Sequence, residues 1–168
     1  MSLKRGLELA QSAFVAAGAP YALIGGFALS VHGYPRATND LDFLVHGDFR
    51  DAVNREMMSR GFVKRFTSDE VDQWDGEVPV DVIYARRDLS KKMLQRAVSF
   101  APLGGTLVIN PTDLIGLKIQ AYSNNPKRLL QDLADIQKMA ELNKIDWEQV
   151  KAYAEAFGEW DRIKSFKN

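Results

Sequence analysis

The chain has 168 residues, 46% of them apolar, and its 22 Lys and Arg residues balance its 22 Asp and Glu residues. This is enough for one well-filled core with a small second helical subdomain, and zero net charge does not indicate a broadly basic nucleic-acid-binding surface. The absence of cysteine excludes disulfides and thiolate zinc sites. No export signal or membrane-spanning stretch is recognisable, so we expect a cytoplasmic protein with no membrane partner.

The first part of the chain predicts alternating helices and strands. Apolar residues recur at helical spacing near the N-terminus, and Gly18 with Pro20 ends that pattern. The predicted elements are a helix over 3–17, a strand over 21–24, a turn at Gly25-Gly26, a short helix over 27–33, a loop over 33–39, a strand over 40–45 and a helix over 48–60.

The middle of the chain predicts further short strands, and the C-terminal part predicts helices only. Asp146 with Gln149 forms a capping box at the start of the last helix, and we expect no fixed structure after Gly158. The elements are a strand over 62–66, a polar loop over 67–76, a strand over 78–84, a helix over 89–98, two extended segments around Gly104-Gly105, and helices over 112–123, 127–142 and 146–157. Residues 1–109 thus form an α/β core and 110–168 a helical subdomain.

The acids Asp40 and Asp42 stand two residues apart in a predicted strand. Side chains at that spacing share one face, and their Cβ atoms lie about 6.5 to 7 Å apart. Both could therefore ligate one divalent cation, or two cations about 3.5 to 4 Å apart. Asp81 is a lone acid in another apolar strand and would complete the set from a neighbouring strand.

Each of these acids also has a purely structural interpretation. Asp40 would belong to a turn, Asp42 would be solvated on an edge strand, and Asp81 would be buried and paired with an arginine. However, aspartate is depleted in strands. Three such exceptions favour a metal-binding triad.

The pair Gly25-Gly26 precedes a predicted helix. By itself it indicates only a tight turn between strand and helix. Glycines at a helix N-terminus also let backbone N–H groups approach an anion, and the helix dipole favours phosphate there. A polyphosphate at the glycine pair would then lie beside metal ions at the acids.

Taken together, these motifs resemble the nucleotidyltransferase superfamily of DNA polymerase beta. They are Gly25-Gly26, the segment 36–42 reading RATNDLD, and the later Val80-Asp81-Val82. Within that superfamily the chain most resembles small bacterial nucleotidyltransferases of abortive-infection, type IV toxin-antitoxin systems. The tail adds to this resemblance through Lys118 and the segment 128–136.

The resemblance implies an α+β fold, with a nucleotidyltransferase-like mixed β-sheet, flanking helices and a C-terminal helical segment packed on the core. It implies that Asp40 and Asp42 hold Mg²⁺ or Mn²⁺ on a nucleoside triphosphate, while Asp81 positions the metal that activates an acceptor hydroxyl. Gly25 and Gly26 would seat the phosphates. Many of these transferases have Gly-Ser where this chain has Gly-Gly.

Four further residues become candidates for the site. Lys118 and Asp132 stand on helical stripes, where a snorkelling lysine and a paired structural aspartate are the alternative interpretation. The resemblance favours Lys118 reaching a nucleotide phosphate and Asp132 orienting Lys118 or the acceptor. Arg36 would contact phosphate unless it is simply solvated. Thr38 would cap or orient the turn before Asp40.

Three functions therefore remain open. The leading hypothesis is a Mg²⁺-dependent, ATP- or other NTP-using nucleotidyltransferase whose acceptor is an RNA end, a protein hydroxyl or a small molecule. The second is a catalytically idle member of the fold that binds a protein partner, for example in a toxin-antitoxin pair. The third, a phosphohydrolase, has only His32 and His46 as further ligands.

Overall fold

The computed structural model describes residues 2–167. Within that range the chain forms two compact units. The first comprises the chain up to Ala28 together with Arg36–Ile109, and the second comprises Leu29–Pro35 and the chain from Asn110 onward. None of the helices in residues 2–167 is both long and apolar enough to cross a membrane.

The first unit is built around a seven-stranded mixed sheet. Its strands are β1 (Tyr21–Ile24), β2 (Leu41–His46), β3 (Val63–Thr67), β4 (Val71–Asp75), β5 (Val80–Ala85), β6 (Val98–Phe100) and β7 (Thr106–Val108). The strand order is β3-β4-β5-β2-β1-β7-β6. The central strand β2 runs parallel to β5 and antiparallel to β1, while β1 runs parallel to β7. The remaining pairs are antiparallel.

Helices cover the sheet of the first unit. They are α1 (Leu3–Ala16), the first part of α2 (Gly25–Val31), α3 (Arg50–Ser59) and α4 (Asp88–Gln95). Helix α1 packs on α3 and β2, and α4 packs on β2 and β5. The ring of Phe14 lies 5.1 Å from that of Tyr21 and 5.0 Å from that of Phe43, centroid to centroid. This aromatic cluster anchors α1 on the two central strands.

The second unit is helical. It contains α5 (Pro111–Asn124), α6 (Leu129–Leu142), α7 (Trp147–Ala156) and α8 (Trp160–Ile163). Helix α5 packs against α6 and α7. The Tyr153 ring fills the space beside Gly116, where a Cβ atom would lie 2.5 Å from the ring. Asp146 caps α7 by accepting hydrogen bonds from the backbone N–H groups of Glu148 and Gln149, as its position predicts.

The prediction of a polar loop over residues 67–76 is wrong. These residues contain β4, which pairs with both β3 and β5. Asp72 and Trp74 are fully buried on one face of this strand, while Gln73 points the other way. Aspartate is depleted in strands, so the polar pattern concealed a strand that tertiary pairing stabilises.

Smaller corrections affect the strands that carry the acids and the C-terminus. β2 begins at Leu41, so Asp40 precedes the strand instead of belonging to it, and β5 begins at Val80 instead of residue 78. The sequence predicts no fixed structure after Gly158, yet α8 forms there and Ile163 is fully buried. Burial of this apolar side chain supplies the stabilisation that the short helix lacks by itself. The last residue of that segment, Asn168, lies outside the described residues.

A buried carboxylate ties β3, β4 and α3 together. The Asp72 side chain is fully buried and accepts hydrogen bonds from Arg50 through Nη2 (2.6 Å) and Nε (3.2 Å), with Tyr84 donating to it at 2.9 Å. Thr67 also donates to it, and Lys64 Nζ lies 3.3 Å away. Burial opposes its ionisation, but the bonds from Thr67, Arg50 and Tyr84 and the charge of Lys64 outweigh burial and lower the pKa of Asp72.

We expect Asp72→Asn to lower the free energy of unfolding at pH 7 by about 3 to 5 kcal/mol, because it leaves two cations beside an uncharged partner. The lowered pKa means that the stabilisation is complete above the unfolded-state pKa of about 4 and is lost as the pH falls through the folded-state pKa. The difference between wild type and variant should therefore shrink below about pH 4. Urea unfolding across pH measures it.

The matched control for this experiment is Asp75→Asn on the same strand. Asp75 pairs with Arg65 at 3.8 Å, and both side chains are at least half exposed. Exposed pairs contribute little to stability, so this variant should unfold like the wild type. Equal losses of unfolding free energy in Asp72→Asn and Asp75→Asn would contradict the stabilising role of the buried Asp72 carboxylate.

Candidate functional site

Two of the predicted acids lie side by side at the centre of the sheet. The register of the parallel pair β2 and β5 places Asp42 directly beside Asp81. Gln73 is the next residue in this row on β4, and Ile24 on β1 is the neighbour of Asp42 on the other side. Side chains paired in this way on adjacent strands share one face of the sheet, about 4.8 Å apart at the backbone. Gly25 follows Ile24 directly in the chain and begins α2.

Burial and a neighbouring negative charge both act on Asp81. Burial raises the pKa of Asp81, and the charge of Asp40 raises it further. A hydrogen bond from Gln73 Nε2 to Asp81 Oδ2 (3.0 Å) and the charge of Arg65 act in the opposite direction but do not cancel the shift. Asp40 therefore lies within electrostatic reach of Asp81, although it stands outside the strand.

Asp40 is held by the loop that precedes β2. The hydroxyl of Thr38 donates to Asp40 Oδ1 and also lies 3.2 Å from the Asp40 backbone carbonyl oxygen. Asp40 itself is exposed, while Thr38 is partly buried. Arg36 lies in the same loop and is also partly buried. Arg36, predicted to contact phosphate, and Thr38, predicted to orient the turn, thus lie in the same loop before the first acid.

The glycine pair lies against this acidic group. Gly25 has φ +68°, a conformation that side chains other than glycine rarely adopt, and a Cβ atom there would lie 2.0 Å from Asp42 Oδ2. The prediction of a turn at the pair is refined, since α2 begins at Gly25 itself. The structure therefore brings together six predicted residues of the first unit, which are Gly25, Gly26, Thr38, Asp40, Asp42 and Asp81.

Among residues 2–167, no group of three or more acidic or histidine side chains is already gathered closely enough to hold a metal ion. The carboxylate of Asp42 lies on Gly25, and the carboxylate of Asp81 accepts a bond from Gln73. The three acids are neighbours with the oxygen chemistry that Mg²⁺ prefers. Their role as metal ligands stays a prediction.

The second unit contains the other predicted pair. Lys118 Nζ on α5 lies 3.1 Å from Asp132 Oδ1 on α6, and both side chains are almost completely buried. The ammonium group also lies 2.8 Å from Asp135 Oδ2. Arg128 binds Asp132 from the other side, with Nε at 3.0 Å from Oδ2. Two cations and two carboxylates thus form one compact, charge-balanced cluster.

The sequence pairs Lys118 with Asp132 but does not directly indicate the contributions of Asp135 and Arg128. A signal was present, because residues three and four positions apart share a helix face, and Arg128 and Asp135 stand at those spacings from Asp132. The sequence also gives no indication that Gln73 is the partner of Asp81, because it predicts a loop where the strand of Gln73 lies. No local pattern could have identified that contact.

Comparison with protein-family models and with curated proteins found no match. Solved structures, in contrast, are similar. ANT(2'')-Ia in complex with adenylyl-2''-tobramycin is 14% identical, with a TM-score of 0.69 over 94% of this chain and 98% of that chain. The lincosamide antibiotic adenylyltransferase LnuA, lincomycin-bound, is 12% identical, with a TM-score of 0.55 over 83% of this chain and 97% of that chain.

A third similar structure is an antigenic nucleotidyltransferase-like protein from Paracoccidioides brasiliensis, 18% identical with a TM-score of 0.53 over 95% of this chain and 93% of that chain. The chain has the nucleotidyltransferase fold. The predicted α+β class, with a mixed sheet and flanking helices, is confirmed. At such low identities the similarity concerns the fold alone. The narrower resemblance to toxin-antitoxin members stays a prediction.

The contact between Gly25 and Asp42 can be tested by substitution. Gly25→Ala should destabilise the protein more than the cost of a left-handed residue alone, about 1 to 2 kcal/mol, because the methyl group would also displace the Asp42 carboxylate. Gly18→Ala is the matched control, since Gly18 has φ +67° and nothing lies within 4 Å of the position that its added methyl group would occupy. If urea unfolding shows the same loss of stability in Gly25→Ala and Gly18→Ala, close contact between Asp42 and position 25 is contradicted.

The buried cluster of the second unit predicts a large loss of folding stability when its central cation, Lys118, is removed. Lys118→Met should lower the free energy of unfolding by about 3 to 5 kcal/mol, because two buried carboxylates would lose their shared partner. Lys138→Met is the matched control, since Lys138 contacts Glu141 at the surface of α6 and should hardly matter. A stable Lys118→Met protein would contradict this structural role.

Proposed function

We propose that this protein is a nucleotidyltransferase that transfers a nucleoside monophosphate from a nucleoside triphosphate to a hydroxyl acceptor. The observation that carries the proposal is the side-by-side register of Asp42 and Asp81, with Asp40 within electrostatic reach. The fold supports it, because similar structures include ANT(2'')-Ia with adenylyl-2''-tobramycin and LnuA with lincomycin.

In this proposal Asp40, Asp42 and Asp81 hold Mg²⁺ or Mn²⁺. The donor set fits, since carboxylate oxygens are preferred ligands of Mg²⁺. The negative charge of Asp40 that raises the pKa of Asp81 is also the excess charge that a divalent cation would offset. When bound, the metal would neutralise charge on the triphosphate and on the attacking oxygen.

The proposed reaction forms a bond between the acceptor oxygen and the α-phosphorus, and breaks the bond from that phosphorus to the bridging oxygen. Pyrophosphate leaves, and the acceptor loses its hydroxyl proton. Asp81 is the proposed acceptor of that proton, because it is partly buried beside Asp42 and Gln73 fixes its Oδ2 atom. Arg36 is the proposed contact to the triphosphate side, and the sequence resemblance implies further contacts there from Gly25, Gly26 and Thr38.

The acceptor belongs to one of three classes, namely an RNA end, a protein hydroxyl or a small molecule. The antibiotics named for ANT(2'')-Ia and LnuA make hydroxyl-bearing antibiotics the first small molecules to test. A place in a toxin-antitoxin pair, with a protein partner, rests on the sequence resemblance alone. The proposed catalytic roles of Lys118 and Asp132 likewise rest on that resemblance.

The test combines nucleotide binding with transfer. Calorimetry should detect ATP or another NTP binding that requires Mg²⁺, and radiolabel from the α-phosphate should appear on an acceptor drawn from antibiotics, RNA and protein. Asp42→Asn and Asp81→Asn should each reduce transfer by at least about 100-fold, because each removes charge that holds the metal. The surface variant Asp75→Asn should leave transfer unchanged.

Two outcomes would contradict the proposal. Metal-independent nucleotide binding with no labelled acceptor would favour the catalytically idle alternative. Release of nucleoside monophosphate or inorganic phosphate without transfer would favour a phosphohydrolase.

A further inference from the structure

The second glycine of the pair has a different environment from the first. Gly26 lies within α2 and has no left-handed φ, so its backbone conformation does not require glycine. A Cβ atom at this position would lie 3.2 Å from both Cβ and Oγ1 of Thr38 and 3.8 Å from its Cγ2. The side chain of Thr38 therefore packs tightly against position 26, and an added Cβ atom would push it by a few tenths of an ångström.

Thr38 in turn is bonded to the first acid. Its hydroxyl donates to Asp40 Oδ1 and lies 3.2 Å from the Asp40 carbonyl oxygen. A hydroxyl that bonds both groups holds the carboxylate relative to its own backbone. A side chain at position 26 would therefore require Thr38 to shift, and with it the hydroxyl that bonds Asp40.

The first glycine acts on the second acid in the same way. The position that a Cβ atom of Gly25 would occupy is 2.0 Å from Asp42 Oδ2 and 2.6 Å from Asp42 Cγ. No side chain fits there while Asp42 keeps its place. Each glycine thus leaves space for one of the acids. Gly25 leaves space for the Asp42 side chain directly, and Gly26 leaves space for Thr38, which in turn bonds Asp40.

We propose that Gly25 and Gly26 position the two acids, and that Thr38 is the positioning residue that links Gly26 to Asp40. The inference rests on the proposed function insofar as these acids hold a metal ion. It differs from the phosphate-seating role that the sequence resemblance implies. A phosphate seat at position 26 predicts weaker nucleotide binding on substitution, whereas a positioning role predicts weaker metal binding.

The contact between Gly26 and Thr38 also predicts that a hydroxyl at position 26 can replace the hydroxyl at position 38. In the wild-type background, Gly26→Ser places a side chain where Thr38 already lies, and the exposed loop has to move its hydroxyl away from Asp40. In the Thr38→Ala background, two of the three contacting atoms, Oγ1 and Cγ2, are gone. We expect the serine hydroxyl to occupy the vacated volume and to replace the lost donor to Asp40.

The experiment measures Mn²⁺ binding by electron paramagnetic resonance, together with the Mg²⁺ and NTP dependence of transfer. We expect Thr38→Ala and Gly26→Ser each to weaken Mn²⁺ binding and to raise the half-saturating Mg²⁺ concentration by about 10- to 100-fold, with a smaller change in KM for NTP. The double variant G26S/T38A should recover most of the loss, and Thr38→Ser should stay near wild type.

Ser99→Ala is the matched control, because it removes one exposed hydroxyl that bonds only the Gly105 carbonyl oxygen, at 3.2 Å. It should leave Mn²⁺ binding unchanged. Thermal unfolding of every variant identifies any that fails to fold, and the recovery in G26S/T38A excludes a general defect as the cause of the single losses. Strong non-additivity of the two substitutions is the expected sign of direct contact.

A double variant that binds Mn²⁺ no better than Thr38→Ala would overturn the inference. So would single variants that change KM for NTP alone, since that pattern indicates a phosphate seat. Wild-type protein that binds Mn²⁺ but transfers nothing contradicts the proposed function, while the Mn²⁺ series still decides the positioning role. Wild-type protein that binds no Mn²⁺ overturns both.

Discussion

The parallel pairing of β2 with β5 is the constraint on which the first unit depends. It joins the two halves of the sheet, and its register sets Phe43 beside Val82 in the core and Asp42 beside Asp81 on the other face. A one-residue shift would exchange these faces and bury the acids. The apolar residues of the two strands therefore hold the acids together, although neighbouring like charges repel each other.

The acids Asp72, Asp132 and Asp81 differ in how far neighbouring cations compensate their charge. Asp72 and Asp132 are fully buried and each is matched by cations, so their charges are compensated within the protein. Asp81 has an amide partner in Gln73 and a negative neighbour in Asp40, and its pKa is raised. A group left under-compensated in this way is a candidate for binding or proton transfer.

The fold and the site carry unequal information about function. Similarity to solved nucleotidyltransferases covers nearly the whole chain, but at identities of 12 to 18% it extends only to the architecture. Many functions share one fold, so activity has to be inferred from the site. In this protein the informative features are the acid row, its electrostatics and the glycine pair that makes room for it.

The sequence by itself determined the identity of the acids, the glycine pair, most helices and the α+β class, because apolar periodicity and turn residues are local signals. It could not determine that Asp72 and Gln73 lie in a strand, since aspartate is depleted in strands and pairing with β3 and β5 stabilises this one. It indicated a place for Asp135 beside Lys118 only through the three-residue spacing from Asp132, and it could not show that Gly26 lies against Thr38. That contact depends on the path of the loop between α2 and β2, and only tertiary packing fixes the path of a loop.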